Sequence, residues 1–327
     1  MNIEEFFQDH NLLYGDRLRR QIIEMNGAGK PEWVWQNSFI NYWFGVDKLP
    51  RGRVIGAGLG YPWNMATSLI LIIDPDGSAK WRYAGEHLAN PHEARWTKRN
   101  TIIVPCCFND RVYEISRSDR KIVWSWFAAD HFKRPPNYVE TIPFGYQGYA
   151  NWTHINDAIE LKNGNVLISL RNLSTIVEVS KEDYGEIIWE WGPGVLAYQH
   201  RLQELPNGRI MIADSENNRI IEVDKEREAI VWEFQLPAKE WCRSGVRIGD
   251  LTVISTSKWD YVRKNTGMYG NTWTSKDRIL LVAMDGEILW EHKLPDGTNI
   301  YNAQPVRKVA DEFKGRYSSS VRVTGLS

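Results

Sequence analysis

The stretch Asn163–Trp191, NGNVLISLRNLSTIVEVSKEDYGEIIWEW, decides the fold. Asn163-Gly164 is a two-residue turn signal, and the alternating run NVLISL (Asn165–Leu170) follows it. TIVEVS (Thr175–Ser180) alternates in the same way, and EIIWEW (Glu186–Trp191) closes the unit on a tryptophan pair. These are three short strands of one antiparallel sheet, and the same pieces recur along the chain. NGRIMIAD (Asn207–Asp214) repeats the first, and RVYEIS (Arg111–Ser116) and RIIEVD (Arg219–Asp224) repeat the second. KIVWSW (Lys121–Trp126) and AIVWEF (Ala229–Phe234) repeat the third, with weaker copies in PEWVWQ (Pro31–Gln36), SAKWRY (Ser78–Tyr83) and EILWEH (Glu287–His292).

The anchor tryptophans Trp33, Trp81, Trp124, Trp189, Trp232 and Trp290 are spaced by 48, 43, 65, 43 and 58 residues, so the unit occurs six times. Four short strands per unit of this length indicate propeller blades. The expected fold is all-β, a six-bladed β-propeller. The recurring tryptophan is read as packing between neighbouring blades. Residues 21–36 supply only the outer half of a blade. Strand-like sequence in Asn302–Val323 is expected to complete it, so that the two termini share one blade and leave no open sheet edge. Residues 1–20 read as a helical extension outside a ring of residues 21–327. Insertions at Ala128–Asn151 and Lys258–Ser275 fall in loops that would cover a functional face.

Forty basic residues face 41 acidic ones, without long runs of either sign, which argues against a nucleic-acid surface. A small anionic substrate needs only one or two cations in a pocket. No stretch reaches the length of a membrane helix, and the first residues lack a signal-peptide core. Cys106 and Cys107 are adjacent, and Cys242 makes the total odd, without metal-type spacing. A reducing, cytoplasmic setting is expected, with no cofactor and no membrane partner; oligomeric state is open.

Eleven residues beyond an anchor tryptophan, each innermost strand begins. His92, His200 and Arg243 occupy that place after Trp81, Trp189 and Trp232, and His154 holds it after the first insertion. Innermost strands line the central channel, so three histidines and an arginine are expected to converge there. Such a set can bind a divalent metal, or serve as nucleophile and acid/base groups. The arginine favours an oxyanion substrate over a metal ion. Period-two alternation would place Trp152 and Asn156 on the face of His154, with Trp152 able to stack on an aromatic ring.

WTHIN (Trp152–Asn156), SLR (Ser169–Arg171), IIWEWG (Ile187–Gly192) and Gln199-His200 occur in this order. The combination resembles the arylsulfotransferase family. That resemblance implies a propeller enzyme that moves a sulfuryl group from an aryl sulfate to a phenol through a sulfated histidine, without a nucleotide donor. It implies His200 as nucleophile and His154 as acid/base group. It implies Asn156 and Arg171 as binders of the sulfuryl oxygens, and His92 as a further channel histidine. The partner is then a small aromatic or anionic substrate, with Trp152 and Arg243 as substrate-binding residues. Two other readings stand beside it. One is a metal-dependent lyase, isomerase or hydrolase with His92, His154 and His200 as ligands and Asp157 or Glu93 as the adjacent carboxylates. The other is a propeller that binds a ligand or protein without catalysis.

Overall fold

The computed structural model describes residues 1–60, 67–85, 87–134, 151–238, 240–257, 277–308 and 322–323. A short helix, α1 (Ile3–Asp9), starts at a capping box in which the Asn2 side chain and Glu5 hold each other's backbone amides. Three strands follow: β1 (His10–Asp16), β2 (Gln21–Met25) and β3 (Pro31–Gln36). The next blade is β4 (Ile40–Lys48), β5 (Val54–Gly60), β6 (Ser68–Ile73) and β7 (Trp81–Ala84). After it come β8 (Arg95–Trp96), β9 (Thr101–Cys106), β10 (Arg111–Ser116) and β11 (Ile122–Phe127). The third full blade is β12 (Ile155–Glu160), β13 (Val166–Leu170), β14 (Thr175–Val179) and β15 (Ile187–Trp191). The fourth is β16 (His200–Glu204), β17 (Ile210–Asp214), β18 (Arg219–Asp224) and β19 (Ala229–Gln235). The fifth is β20 (Trp241–Ile248), β21 (Leu251–Ser257), β22 (Arg278–Ala283) and β23 (Ile288–Lys293). The chain ends on β24 (Ile300–Arg307) and β25 (Arg322–Val323).

Each blade is an antiparallel meander, and six of them make the ring, as the repeat requires. The ring closes in the sheet β24-β1-β2-β3-β25. The shared blade is divided differently from the expectation. The C-terminal segment gives one inner strand, β24, and the N-terminal segment gives the other three. The helix expected over residues 1–20 is confined to Ile3–Asp9, because His10–Asp16 is a buried strand paired with β24 from His10↔Arg307 to Asp16↔Ile300. Short β25 adds a parallel edge to β3. The insertions lie largely outside the described residues, at 135–150 and 258–276.

The tryptophans do more than fill space between blades. Every blade sends an indole N–H to the turn carbonyl of the next. Trp35 donates to Gly77, Trp81 to Arg117, Trp126 to Gly185, Trp191 to Glu228, Trp232 to Met284 and Trp290 to Gly27, at 2.7–3.2 Å. In the closing blade Trp33 adds a second such bond, to Pro75. In two blades the donor is the second tryptophan of the pair, Trp126 or Trp191. Trp124 and Trp189 instead lie under the ammonium groups of Lys181 and Lys225. The turn at Gly185 is fitted to its partner: its φ is +84°, and a Cβ there would meet Trp126 Cδ1 at 2.8 Å. Trp126→Phe keeps the packing and removes the donor, leaving a buried carbonyl unmet. A loss of about 1–2 kcal/mol is expected in equilibrium denaturation, and an unchanged midpoint would show that the indole bond carries no net stability.

Candidate functional site

The site sits where the innermost strands begin, and each blade delivers a residue to it. Three segments enter through irregular backbone. β12 starts only at Ile155, and His154 before it takes φ +50°. A bulge follows at Asn156, another at Arg201 and a third at Arg243. Bulges re-aim side chains, here polar ones, at the channel end of their strands. The same geometry breaks the period-two argument for Trp152 and Asn156. Trp152 is buried in the turn before β12, its amide held by Asp110 Oδ2 at 3.2 Å. Asn156 turns towards the next blade and donates to the Gln199 carbonyl at 2.7 Å.

His200, His92, His154 and Arg243 come together, and the charge of Arg171 acts on all three histidines. The His92 and His154 rings lie 4.8 Å apart, centroid to centroid. Tyr301 on β24 links the group: its hydroxyl lies 2.8 Å from His92 Nδ1, and its ring lies 5.9 Å from that of His200. Arg243 Nη1 donates to His200 Nε2 at 3.2 Å. Arg171 is half-buried, with Nε and Nη2 on Asn172 Oδ1 and its guanidinium 5.4 Å from the Tyr198 ring centroid. Phe44 packs on His92 at 4.6 Å and Trp241 on His200 at 5.9 Å, so these rings and Tyr301 form the aromatic surface beside the histidines. The remaining histidines sit elsewhere: His10 under α1, His87 on Tyr83, His131 on Trp126 and His292 on Trp290.

Hydrogen bonds decide which nitrogen of each imidazole carries the proton. Arg243 can only donate, so His200 Nε2 accepts and the neutral ring carries its proton on Nδ1, 2.7 Å from Ser215 Oγ; Ser215 in turn reaches the Ala213 carbonyl at 3.3 Å. The His200 lone pair is therefore at Nε2, where it accepts from Arg243. His154 donates from Nδ1 to Asn151 Oδ1 at 2.8 Å, which leaves its Nε2 lone pair buried without a partner among the described residues. His92 Nε2 is likewise unmet. All three imidazoles are held well below the ordinary histidine pKa, by burial first. For His92 and His154 Arg171 is the next cause, and for His200 it is Arg243. The shift favours their neutral form at neutral pH. A reaction run by them is expected to show no limb near pH 6.5, the unperturbed value, in kcat/KM measured from about pH 5.5 to 8. A fall on the acid side centred near 6.5 would mean that solvent reaches the imidazoles.

Asn156, Ser169 and Gln199 from the sequence motifs interlock. Gln199 Nε2 donates to Ser169 Oγ at 3.1 Å and to the Thr175 carbonyl at 2.8 Å. With Asn156 on its carbonyl, the peptide preceding His200 is fixed from three sides. Asn156 is thus a positioning residue in this structure.

Below the histidines the channel is plugged by charge. Arg95 bonds both oxygens of Asp157, at 3.2 and 2.9 Å, and reaches Asp47 at 3.2 Å. Arg201 holds Glu93 at 3.2 Å. Burial pushes the Glu93 carboxyl up to about 7, against the pull of Arg95 and Arg201. Gly45 makes room for it, since a Cβ there would meet Glu93 Oε2 at 1.9 Å. Beyond the plug a cavity of about 340 Å³ opens between Asp47, Arg95, Leu202 and Glu204.

Glu93 and Asp157, the carboxylates adjacent in sequence to the site, are thus paired with arginines. The donors that do gather are His92, His154 and Cys107, with one ligand atom from each within 4.8 Å of the others. Burial holds the Cys107 thiol well above its ordinary pKa, and Asn90 donates to its sulfur at 3.2 Å. Arg171, Arg17 and Arg243 all act on His92, which makes this a poor setting for a dication.

Fold and site together define a six-bladed β-propeller whose channel gathers three buried histidines beside Arg243 and Arg171. Residues 85–197 match the family model described as Arylsulfotransferase (ASST), a span that includes His92, His154, Asn156 and Arg171 and stops just before His200. No curated protein matches the chain. Solved structures share the ring at low identity. A protein of unknown function from Bacteroides caccae is 14% identical, with 92% of this chain and 100% of that one covered and a TM-score of 0.64. A streptogramin B lyase is 11% identical over 89% of both chains, with a TM-score of 0.56. These likenesses show the fold alone.

Arg17, Phe44, Ser215 and Tyr301 belong to the site but were not among the expected residues. For two of them the signal was present: the eleven-residue step from Trp33 lands on Phe44, and from Trp290 on Tyr301. Arg17 lies in the segment read as an outside helix.

Proposed function

We propose that the protein moves a sulfuryl group from an aryl sulfate to a phenol by a two-step route through His200. The observation that carries this reading is the setting of buried His200 between Ser215 and Arg243. Ser215 lies at Nδ1 and the donor Arg243 at Nε2, so the neutral ring carries its proton on Nδ1 and its lone pair on Nε2. Arg243 turns from Nε2 to a sulfuryl oxygen, the freed Nε2 lone pair attacks sulfur, and the S–O bond to the aryl group breaks. The phenolate leaves with the bond pair, and Nε2 carries the sulfuryl group. Ser215 supports the imidazolium that results, through Nδ1–H. Arg243 and Arg171 meet charge on the sulfuryl oxygens as it develops. In the second step an acceptor phenol gives its proton to His154 Nε2, and its oxygen attacks sulfur. The S–N bond breaks, its pair returns to His200, and His154 releases the proton to solvent.

Intact-mass spectrometry of wild type and His200→Ala, after incubation with 4-nitrophenyl sulfate, tests the reading. A gain of about 80 Da, one sulfuryl group, is expected in wild type alone, together with nitrophenolate. Nitrophenolate released equally by both proteins would overturn it.

A further inference from the structure

The proposed chemistry leaves Arg17 unused. It follows β1 and is 6% exposed. Its guanidinium lies 3.9 Å above the Tyr42 ring and 5.3 Å from the centroids of both Phe44 and Tyr301. Among the described residues no carboxylate comes within ion-pair distance of it, no hydrogen bond to its side chain is formed, and its Nε is buried without a partner. Arg95 and Arg201 are each clasped by carboxylates, and Arg243 bonds His200 and Ser257. The charges that act on Arg17 are Arg243, Tyr301 and Asp277. Asp277 spends one oxygen on the Ile300 amide, at 2.7 Å.

A buried guanidinium without a carboxylate costs several kcal/mol unless something else supplies the negative charge. Arg17 stands on the aromatic wall that also borders His92 through Phe44, and Arg243 and His200 through Tyr301. Phe44 and Tyr301 are the ring surfaces of that wall, and Arg17 stands over both. Arg243 and Arg171 serve the sulfuryl end. We infer that Arg17 receives a second anionic group, a carboxylate carried on the aromatic ring, so that the substrates are aromatic acids rather than simple phenols. The inference rests on the proposed reading for the sulfuryl end only.

Two probes that cannot transfer sulfur, because it is bound through carbon, separate the questions. 4-Sulfobenzoate carries both anionic groups, and benzenesulfonate carries one. In calorimetric titration wild type is expected to bind 4-sulfobenzoate at least about tenfold more tightly. Arg17→Met is expected to lose that preference, keep its affinity for benzenesulfonate, and melt at a higher temperature than wild type without ligand. Arg17→Lys, which keeps a charge but not the fork, retains part of the preference and covers the case in which the Met variant does not fold. Equal affinities in wild type, no binding of either probe, or an equal loss of both in Arg17→Met would each overturn the inference. Because neither probe reacts, the comparison holds whatever the intact-mass experiment returns.

Discussion

His200→Ala is expected to lower kcat/KM for aryl sulfate turnover by at least on the order of 10⁴-fold, because the variant has no atom to take the sulfuryl group. His154→Ala should fall less, by roughly 10²–10⁴-fold, and in a different step. With a good leaving group it still releases one equivalent of phenolate in a burst, then stalls, because the acceptor phenol finds no base. The pair of variants separates the two half-reactions. Equal loss of burst and turnover in His154→Ala would mean that His154 acts on the departing aryl oxygen as well. Loss of activity in His154→Ala with full activity in His200→Ala would move the nucleophile to the other ring.

Asp157→Ala carries the largest expected effect on stability. Asp157 is fully buried and accepts four bonds: two from Arg95, one from the Leu202 amide at 2.7 Å and one from the Ala158 amide at 2.9 Å. Without it Arg95 keeps only Asp47 within hydrogen-bonding reach, and two buried amides lose their acceptor. Removing one partner of a buried pair costs about 3–5 kcal/mol, a large share of a domain's total. Urea denaturation should show the midpoint falling accordingly. A midpoint matching wild type would mean that water from the adjoining cavity reaches Arg95, and that the plug does not seal the channel.

The fold was legible because each blade must solve the same problem of adhering to its neighbour and uses the same side chain. The tryptophan spacing therefore carried the blade count, and the eleven-residue step carried His92, His200 and Arg243 into the channel. The same step, followed to Phe44 and Tyr301, would have exposed most of the wall. What stayed hidden has local causes. His154 and Asn156 depart from strand alternation because a left-handed residue and a bulge intervene, and neither leaves a compositional trace. His10–Asp16 reads as helix continuation because its burial on both faces removes the alternation that marks a strand. Arg17 follows it and was lost for the same reason. Ser215 could not be found from spacing, since its role depends on its place beside His200 Nδ1.

The blade that closes the ring also has a consequence for biosynthesis. Arg17 directly follows one of its strands and Tyr301 lies in another, at opposite ends of the chain, and β1 pairs with β24. A nascent chain on the ribosome can form the intervening blades as they emerge, since each is a local meander. It cannot assemble the histidine site until Tyr301 has left the exit tunnel and β24 has found β1, the strand pairing with the greatest sequence separation among the described residues. Ligand affinity therefore reports completion of synthesis: a chain cut short anywhere before β24 lacks one wall of the site, however many blades it has folded.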